Sequence, residues 1–515
     1  MYEFPPQFHV WRYIWNDRPL NLMLWERFMS LGLRTTDPEE ADFFFIPALD
    51  RSCNNTRWDD TFAYITTHYA KYWNRRQGRD HLVTQPADWG RCEPYWYRPP
   101  AAPFMENVTV LHQWGLTVDR SAELGHKEFK ACHKPNQDLV ISGQSPEIFM
   151  SGVFKESVWH PERRAKPVVK TSLASMFGSL CAWNSNQEPP CPNKWYSLGV
   201  RGALWELLRG RPGFNIAKRV GNQGRGMAES EFCLSPTGAG WGKRGYMGAA
   251  LGCIPVIISD HVAQAFEPFL DWNDFGVWIP ESHMNETEAI LRGFTPEQKA
   301  EKMRKLYCAA RHFTYTSVYG NVFEGDDGRY DAIAMIVRIL RARRDHPGVP
   351  DDRLAQVDQG FADFLACRSP APPLPLAHTL TPARGNGSDG RGDGFPRRTV
   401  TTAAWVRSAQ GWTHTPPAAG VAAASDAGAG AGVGAGGQQA VVARSGELTF
   451  SGPLCLHNAR EIAYPVPGGL DPDSRSQVRA GYCLPGNMKR PGDFFPGGSV
   501  TCPPTGPITQ CAVMV

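Results

Sequence analysis

Residues 230–260 read SEFCLSPTGAGWGKRGYMGAALGCIPVIISD, and this stretch decides the fold. An apolar segment leads into the glycine-rich loop 236–242, followed by Lys243 and Arg244, a helix of small residues and the apolar run 254–258. A strand, a glycine loop and a helix N-terminus in this order present backbone N–H groups to an anion, and the two cations add positive charge. The pattern favours an α/β domain that binds a diphosphate. The alternative is a loop that only turns a corner, since it matches neither a Walker A motif nor GxGxxG.

The residues on either side of this stretch alternate between apolar runs and helix start signals. The runs at 43–46 and 254–258 lack polar alternation, which is typical of strands covered on both faces in a parallel sheet. Asp37–Glu40 predicts a short helix, the capping box Thr295–Gln298 predicts a longer one, and a further helix is predicted over 331–344. Helices and buried strands alternate over more residues than one sheet needs, so they predict an α/β fold with two domains.

Composition changes sharply near residue 346. Pro/Ala-rich and Ala/Gly-rich tracts follow this point, and they offer too little apolar side chain to offset the entropy of ordering. Residues 346–515 are therefore predicted to be a largely disordered, low-complexity tail. Its end contains four cysteines that could form a small module: Cys455, Cys483, Cys502 and Cys511. The two predicted domains then occupy residues 1–165 and 166–345.

Charge and cysteine content exclude several classes of protein. Lys plus Arg total 54 against 51 Asp plus Glu, so the chain lacks the basic excess of a nucleic-acid-binding protein. No apolar run has the length of a membrane span and the N-terminus is unlike a signal peptide, so neither an anchor nor an export signal is expected in the sequence as written.

The 13 cysteines show no CxxC pair or zinc spacing, and no metal site is expected. They fit either free thiols or disulfides in a secretory compartment, with Cys181 and Cys191 near enough in sequence to close a local loop. Sequons for N-glycosylation add mild support for a luminal address. They are at Asn54, Asn107, Asn285 and Asn386.

Several ordered blocks resemble the exostosin-like glycosyltransferases (glycosyltransferase family 47) of the plant and algal type. The resemblance covers about residues 1–318, with the blocks in the family's order and at plausible spacing. The blocks are Tyr2–Pro6, Arg34–Pro47, Trp73–His81, Asp88–Gly90, Gln137–Ile141, Ser230–Pro236, Gly252–Asp260 and Phe269–Trp272.

The resemblance implies a GT-B architecture, in which two Rossmann-like domains face each other across a cleft. It also implies an inverting, metal-independent transfer of sugar from a nucleotide-sugar, expected to be UDP-linked, to a cell-wall, matrix or glycoprotein glycan, without a cofactor. The family further implies a single-pass Golgi protein that works with other glycosyltransferases as a hetero- or homo-oligomer. The residues expected to bind the donor are Arg201, Ser235, Gly238, Gly240, Lys243 and Arg244.

Inverting transfer also needs a base for the acceptor hydroxyl. The candidates in the N-terminal domain are Asp80, His81 and Asp88, although Asp80 and His81 could instead form a structural ion-pair cluster with Arg79. Two positions depart from the family pattern. Gln77 replaces a common glycine, and Met247 replaces an acidic residue that can contact the nucleotide ribose. Met247 leaves open the alternative of a non-catalytic relative that binds glycan or assists an active partner.

Overall fold

The computed structural model describes most of the chain up to residue 368 and short strands beyond it. The described residues are 20, 24, 27–28, 33–35, 37–46, 58–92, 102–143, 153–163, 165–181, 188–191, 195–218, 220–240, 242–316, 323–368, 404–408, 411–415, 442–443, 448–449, 455–457, 460–464, 499–501 and 512–514. The chain forms two compact units, one of residues 1–27 with 34–374 and the other of residues 28–33 with 375–515.

A parallel four-stranded sheet forms the first half of the larger unit. Its strands lie in the order β1-β2-β3-β5. They are β1 (Phe44–Phe45), β2 (His81–Gln85), β3 (Thr109–His112) and β5 (Leu139–Val140). All of their residues are buried, which explains why the sequence shows apolar runs without alternation. Phe62, Ile65 and Trp73 from the helices before β2 pack against this sheet.

A parallel five-stranded sheet forms the second half. Its order is β11-β9-β8-β6-β7. The strands are β6 (Ser172–Phe177), β7 (Phe214–Ala217), β8 (Ser230–Leu234), β9 (Ile254–Ile257) and β11 (Val277–Trp278). In chain order this is the arrangement 2-1-3-4-5 of flavodoxin-like sheets, whose direction of winding reverses between the first and third strands. The reversal therefore lies between β6 and β8.

Two short strands connect the halves. β4 (Gly115–Leu116) pairs antiparallel with β10 (Val262–Ala263), and Leu116 lies opposite Val262. The helices of the larger unit are α1 (Trp58–His68), α2 (Ala70–Arg76), α3 (Ala102–Met105), α4 (Ser121–Leu124), α5 (Val200–Leu208), α6 (Gln223–Ala228), α7 (Arg244–Leu251), α8 (Trp272–Phe275), α9 (Thr287–Arg292), α10 (Pro296–Phe313), α11 (Ala332–Asp345), α12 (Leu354–Val357) and α13 (Gln359–Leu365). Among the described residues, none of these helices has the length and apolar content needed to cross a bilayer.

The predicted α/β fold with two parallel sheets is confirmed. The chain passes from the first sheet to the second between β5 and β6, and the predicted boundary at 165/166 lies in that stretch. The capping box at Thr295 is also present, since its hydroxyl accepts the Gln298 N–H while the Gln298 side chain accepts the Thr295 N–H.

Two sequence-based expectations are wrong. Asp37–Glu40 forms a turn, in which Asp37 Oδ1 accepts the Glu39 N–H at 2.8 Å, because extended backbone resumes too soon for a helix. The folded region also continues beyond residue 345, through α12 and α13, and a Cys308–Cys367 disulfide ties it to α10.

The smaller unit contains antiparallel strand pairs, of which the longest joins Ala404–Ser408 to Gly411–Thr415. The predicted lack of order and the predicted cysteine module concern positions that are mostly outside the described residues. Three further disulfides lie in the larger unit and include the predicted local loop. They are Cys92–Cys132, Cys181–Cys191 and Cys233–Cys253.

Candidate functional site

The reversal point of the second sheet forms the centre of the candidate site. Open α/β sheets bind ligands beyond the carboxyl ends of their strands, at the position where the winding reverses. Here the segment after β6 begins with Gly178 and Ser179, and the segment after β8 is Ser235–Thr237. Ser235 donates through Oγ to the Cys233 carbonyl at 2.9 Å and is buried. The glycine loop 238–242 follows directly and leads into α7.

Arg244, the first residue of α7, reaches back to the end of β6. Its guanidinium is buried, and Nε donates to the carbonyl oxygen of Phe177. The next residue, Gly178, has φ +123°, which side-chain-bearing residues rarely adopt, and a Cβ there would clash with the guanidinium. A glycine at position 178 is therefore required for Arg244 to lie at this edge.

Arg201 approaches the same edge from α5. Its Nη1 donates to the Ser179 carbonyl at 2.9 Å and to the Tyr196 hydroxyl at 2.7 Å, and its Nη2 lies 3.5 Å from the Pro236 carbonyl. The side chain is buried, and Nε has no hydrogen-bond partner within the described part of the chain. Arg201 therefore connects the segments that follow β6 and β8.

Neither guanidinium has a negative partner within the described part of the chain. Among the described residues, no carboxylate accepts a hydrogen bond from Arg201 or Arg244. Burial lowers the pKa of both groups, and the charge of Arg201 lowers the pKa of Arg244 further. Arg91 shows the usual arrangement, because it is equally buried but donates to both oxygens of Asp138. Two buried cations that donate to no carboxylate among the described residues make this edge a candidate site for a polyvalent anion.

The remaining predicted donor-binding residues lie around these cations. Lys243 is the N-cap of α7 and is half-buried, and no side chain caps this helix. The Gly238 N–H donates to the Gly240 carbonyl at 3.0 Å, and the Gly238 carbonyl accepts the Ser197 N–H at 2.8 Å. The loop therefore has a defined shape, with the helix N-terminus directed at the same edge as the guanidiniums.

The segment Asp88–Gly90 of the first half contacts this glycine loop. Trp89 Nε1 donates to the Ala239 carbonyl at 2.8 Å. A Cβ at Gly240 would overlap the carbonyl oxygen of Asp88, so only glycine permits this close approach. Asp88, which is half-buried, lies three residues after the carboxyl end of β2, and its backbone carbonyl lies next to Gly240 of the glycine loop.

The other two base candidates lie elsewhere. Asp80 and His81 are at the amino end of β2, at the edge of the first sheet opposite to the carboxyl ends of its strands. Asp80 accepts from Arg75 at 2.7 Å and contacts His81 Nδ1 at 2.8 Å. Although burial raises the pKa of Asp80, these hydrogen bonds lower it overall, and burial lowers the pKa of His81. The structure thus supports the structural ion-pair cluster, with Arg75 rather than Arg79 as the cation.

The two departures from the family pattern have distinct surroundings. Gln77 ends α2 with φ 53°, in the left-handed conformation that glycine adopts without strain. Met247 is buried within α7, one turn after Arg244. The guanidinium pair is therefore built without a contribution from an acid at position 247.

Sequence reasoning missed two polar residues at a small cavity between the halves. Gln113 lies between β3 and β4, and Thr237 lies between β8 and the glycine loop, and both line this cavity. Both side chains are buried, and neither the Gln113 amide nor the Thr237 hydroxyl has a hydrogen-bond partner within the described residues. No sequence signal identifies them, because the β4–β10 pairing that brings the halves together joins positions remote in sequence.

Among the described residues, two groups of side chains contain residue types that can bind a metal ion, with their ligand atoms close together. In the first, Cys308 and Cys367 form a disulfide beside His312. In the second, His112 and His133 lie beside Asp138, whose oxygens accept from Arg91. In both groups the ligand atoms already have disulfide, ion-pair or hydrogen-bond partners.

Two of the four predicted sequons lie within the described residues. Asn285 is exposed on the 3-10 helix Glu281–Glu286, and Asn107 is half-buried before β3. Asn54 and Asn386 lie outside the described residues.

Two parallel sheets with an anion site at the reversal point define a nucleotide-binding class of α/β protein. Comparison with known families makes this more specific, since the Exostosin GT47 domain matches residues 2–294. The chain belongs to this family of glycosyltransferases, as the sequence blocks predicted.

Curated relatives agree with this assignment. The chain is 24% identical to the probable glucuronosyltransferase GUT1 of Oryza sativa, over 71% of this chain and 86% of the relative. It is 27% identical to the probable β-1,4-xylosyltransferase IRX10L of Arabidopsis thaliana, over 59% and 73%. Among solved structures, the Anabaena protein HepE in complex with UDP-glucose is similar, at 11% identity and a TM-score of 0.25 over 54% of this chain and 97% of HepE.

Proposed function

We propose that the protein transfers a sugar from a UDP-sugar to a cell-wall, matrix or glycoprotein glycan, with inversion at the anomeric carbon and without a metal ion. The observation that carries this proposal is the pair of buried guanidiniums, Arg201 and Arg244, at the reversal point of the second sheet. Within the described part of the chain, neither donates to a carboxylate. A nucleoside diphosphate supplies the missing negative charge. The names of the relatives support the same reaction class.

The guanidiniums would stabilise the leaving group. As the bond from the anomeric carbon to the diphosphate oxygen breaks, negative charge grows on that oxygen. Arg201, Arg244 and the N-terminus of α7 converge on this edge, where fixed positive charge acts without reorganisation. In this scheme the cations perform the role that a divalent metal performs in other transferases.

The base would be Asp88. An inverting transfer requires a group on the acceptor side that takes the hydroxyl proton while the acceptor oxygen bonds to the anomeric carbon. Asp88 is the predicted base candidate that lies beside the glycine loop, whereas Asp80 and His81 lie at the opposite edge of the sheet. We expect Asp88→Asn to lower kcat by about 10²–10⁴-fold, with the Kd for UDP unchanged.

The proposal extends to the compartment and to the partners. Four disulfides in the described residues favour an oxidising lumen, and the exposed sequon at Asn285 is compatible with glycosylation there. We therefore retain the Golgi lumen, a single-pass anchor and association with other glycosyltransferases as predictions from the family. No cofactor beyond the nucleotide-sugar substrate is part of the scheme.

The test is a UDP-release assay on the full chain with a panel of UDP-sugars, an oligosaccharide acceptor mixture and EDTA. The proposal expects release with at least one donor, unaffected by EDTA, and a strong loss in Arg244→Met. Calorimetric measurement of UDP binding, together with the release assay, would distinguish a transferase from the non-catalytic relative that Met247 leaves open. UDP binding without release from any donor would favour the partner-assisting protein, and absence of UDP binding would refute the donor site.

A further inference from the structure

The small cavity between the halves has chemistry different from that of the anion site. Its walls come from the end of the first sheet at Gln113 and Ile141, the segment after β8 at Ser235 and Thr237, and the residues around β10. The first turn of α7, at Gly245 and Tyr246, and Trp272 of α8 complete the lining. None of the described residues that line it carries a charge. Its volume of about 30 Å³ admits one or two groups the size of a water molecule.

The unpaired polar atoms in this cavity match a hydroxyl group. The Gln113 amide offers both a donor and an acceptor, and Thr237 offers a hydroxyl that can do either. Both side chains are at least nine-tenths buried, with exposed fractions of 6% and 5%, and buried polar groups without a partner are costly. A ligand hydroxyl both donates and accepts, and it therefore satisfies both sides of the amide.

The position of the cavity relates it to the transferred sugar. Thr237 follows Pro236, whose carbonyl lies 3.5 Å from Arg201 Nη2, and the glycine loop separates Thr237 from Arg244. A sugar attached to a diphosphate at the guanidinium pair would lie next to this segment, on the side that faces the first sheet. The cavity is too small for a pyranose ring but has room for one of its exocyclic groups.

We propose that Gln113 and Thr237 bind an exocyclic hydroxyl of the transferred sugar, and that the neutral cavity selects an uncharged hexose or pentose over a uronic acid. A uronate carboxylate only accepts hydrogen bonds, so it would leave Gln113 Oε1 unpaired. It would also lose its hydration without gaining a cation, which is strongly unfavourable. This inference rests on the proposed function, and it differs from the glucuronosyl transfer in the name of the rice relative.

Calorimetry on the full chain tests the inference, with UDP, UDP-xylose, UDP-arabinose, UDP-galactose and UDP-glucuronate as ligands. We expect one neutral UDP-sugar to bind at least tenfold more tightly than UDP-glucuronate. Gln113→Leu and Thr237→Val should each weaken that sugar by about 3–10-fold, the range for one neutral hydrogen bond, and change the Kd for UDP less than twofold. Thr237→Ser keeps the hydroxyl and is the matched control, so it should bind like the unaltered protein.

The outcomes separate the inference from the proposed function. Equal or tighter binding of UDP-glucuronate, with UDP still bound, would overturn the neutral-sugar selection and leave the donor site intact. Equal loss of UDP and UDP-sugar in the folded Gln113 and Thr237 variants would show that the cavity only supports the structure. Absence of UDP binding in the unaltered protein would refute the proposed function and this inference with it.

Discussion

Replacing Arg244 with methionine tests whether this arginine binds a ligand or stabilises the fold. The guanidinium is buried, it bonds to the Phe177 carbonyl, and it lies near the charge of Arg201 without a carboxylate partner. An uncompensated buried charge costs about 3–5 kcal/mol. Leaving the Phe177 carbonyl unsatisfied costs about 1–3 kcal/mol. Arg244→Met should therefore raise the free energy of unfolding of the ligand-free protein by about 2 kcal/mol.

The same substitution should weaken UDP. Charge-assisted hydrogen bonds contribute about 1.5–3 kcal/mol each. Their loss raises the Kd for UDP by about 10–150-fold. Urea unfolding and calorimetry on one preparation measure the two effects. A higher free energy of unfolding together with weaker UDP binding would show that the fold holds this cation in place for a ligand.

Arg343→Met is the matched control. Arg343 is also largely buried, but it pairs with Asp351 through Nε at 2.9 Å and donates through Nη1 to the Gln137 carbonyl at 2.9 Å. Its loss leaves a buried carboxylate unpaired, so stability should fall by about 3 kcal/mol while the Kd for UDP stays the same. If Arg244→Met behaved like Arg343→Met, with lower stability and unchanged UDP affinity, the anion site would be refuted.

Three further predictions follow from the backbone and from buried histidines. Gln77→Gly should raise the free energy of unfolding, measured by urea denaturation, by about 1 kcal/mol, because the φ of 53° at this position is a left-handed conformation that glycine adopts more readily. A lower free energy of unfolding would show that the Gln77 side chain makes a stabilising contact. Gly240→Ala should weaken UDP binding and lower stability by about 1–3 kcal/mol, because its Cβ overlaps the Asp88 carbonyl, whereas Gly221→Ala, with open space around it, should do neither. Burial lowers the pKa of His312 from 6.5 to about 4 and that of His112 to about 3. Between pH 6.5 and these lowered pKa values, the two histidines are therefore protonated in the unfolded chain but neutral in the folded chain. Each histidine should therefore lower the free energy of unfolding by about 2 kcal/mol at pH 5 relative to neutral pH. Glu267, whose pKa burial raises to about 7, should offset part of this fall. Urea midpoints at pH 7 and pH 5 measure this, and an unchanged midpoint would contradict it.

Contiguous features of the site could be predicted from the sequence. The strand, the glycine loop and the cations of residues 230–244 are adjacent in the chain, so their order alone indicates an anion site. The sequence could also have excluded Asp80 as the base. Asp80 directly precedes the buried run that begins at His81, which places it at the amino end of a parallel strand, whereas ligands bind at the carboxyl ends.

Other features depend on tertiary structure. The missing carboxylate near Arg201 and Arg244 is a property of everything packed around them, and no local pattern encodes it. Gln113 and Thr237 reach one cavity because β4 pairs with β10, across about a hundred and fifty residues of chain. The prediction of disorder after residue 345 is wrong because the composition changes near residue 346, whereas apolar side chains beyond that point still pack into the folded region. Phe361 and Phe364 are buried there, and Asp358 caps the last helix.

In the proposed scheme, two parts of the site recognise different parts of the UDP-sugar. The guanidinium pair recognises the diphosphate, and the cavity at Gln113 and Thr237 recognises the sugar. In this scheme the cations bind the diphosphate, which all UDP-sugars share, so they would supply affinity and leaving-group stabilisation without selecting a sugar. The cavity at Gln113 and Thr237 is uncharged and small, so it contributes little affinity but distinguishes substituents that differ by one polar group. Related enzymes that share the guanidinium pair could then differ in donor sugar through a few residues at this cavity. In this proposal the arginines stabilise the diphosphate common to all donors, and the neutral cavity selects the sugar.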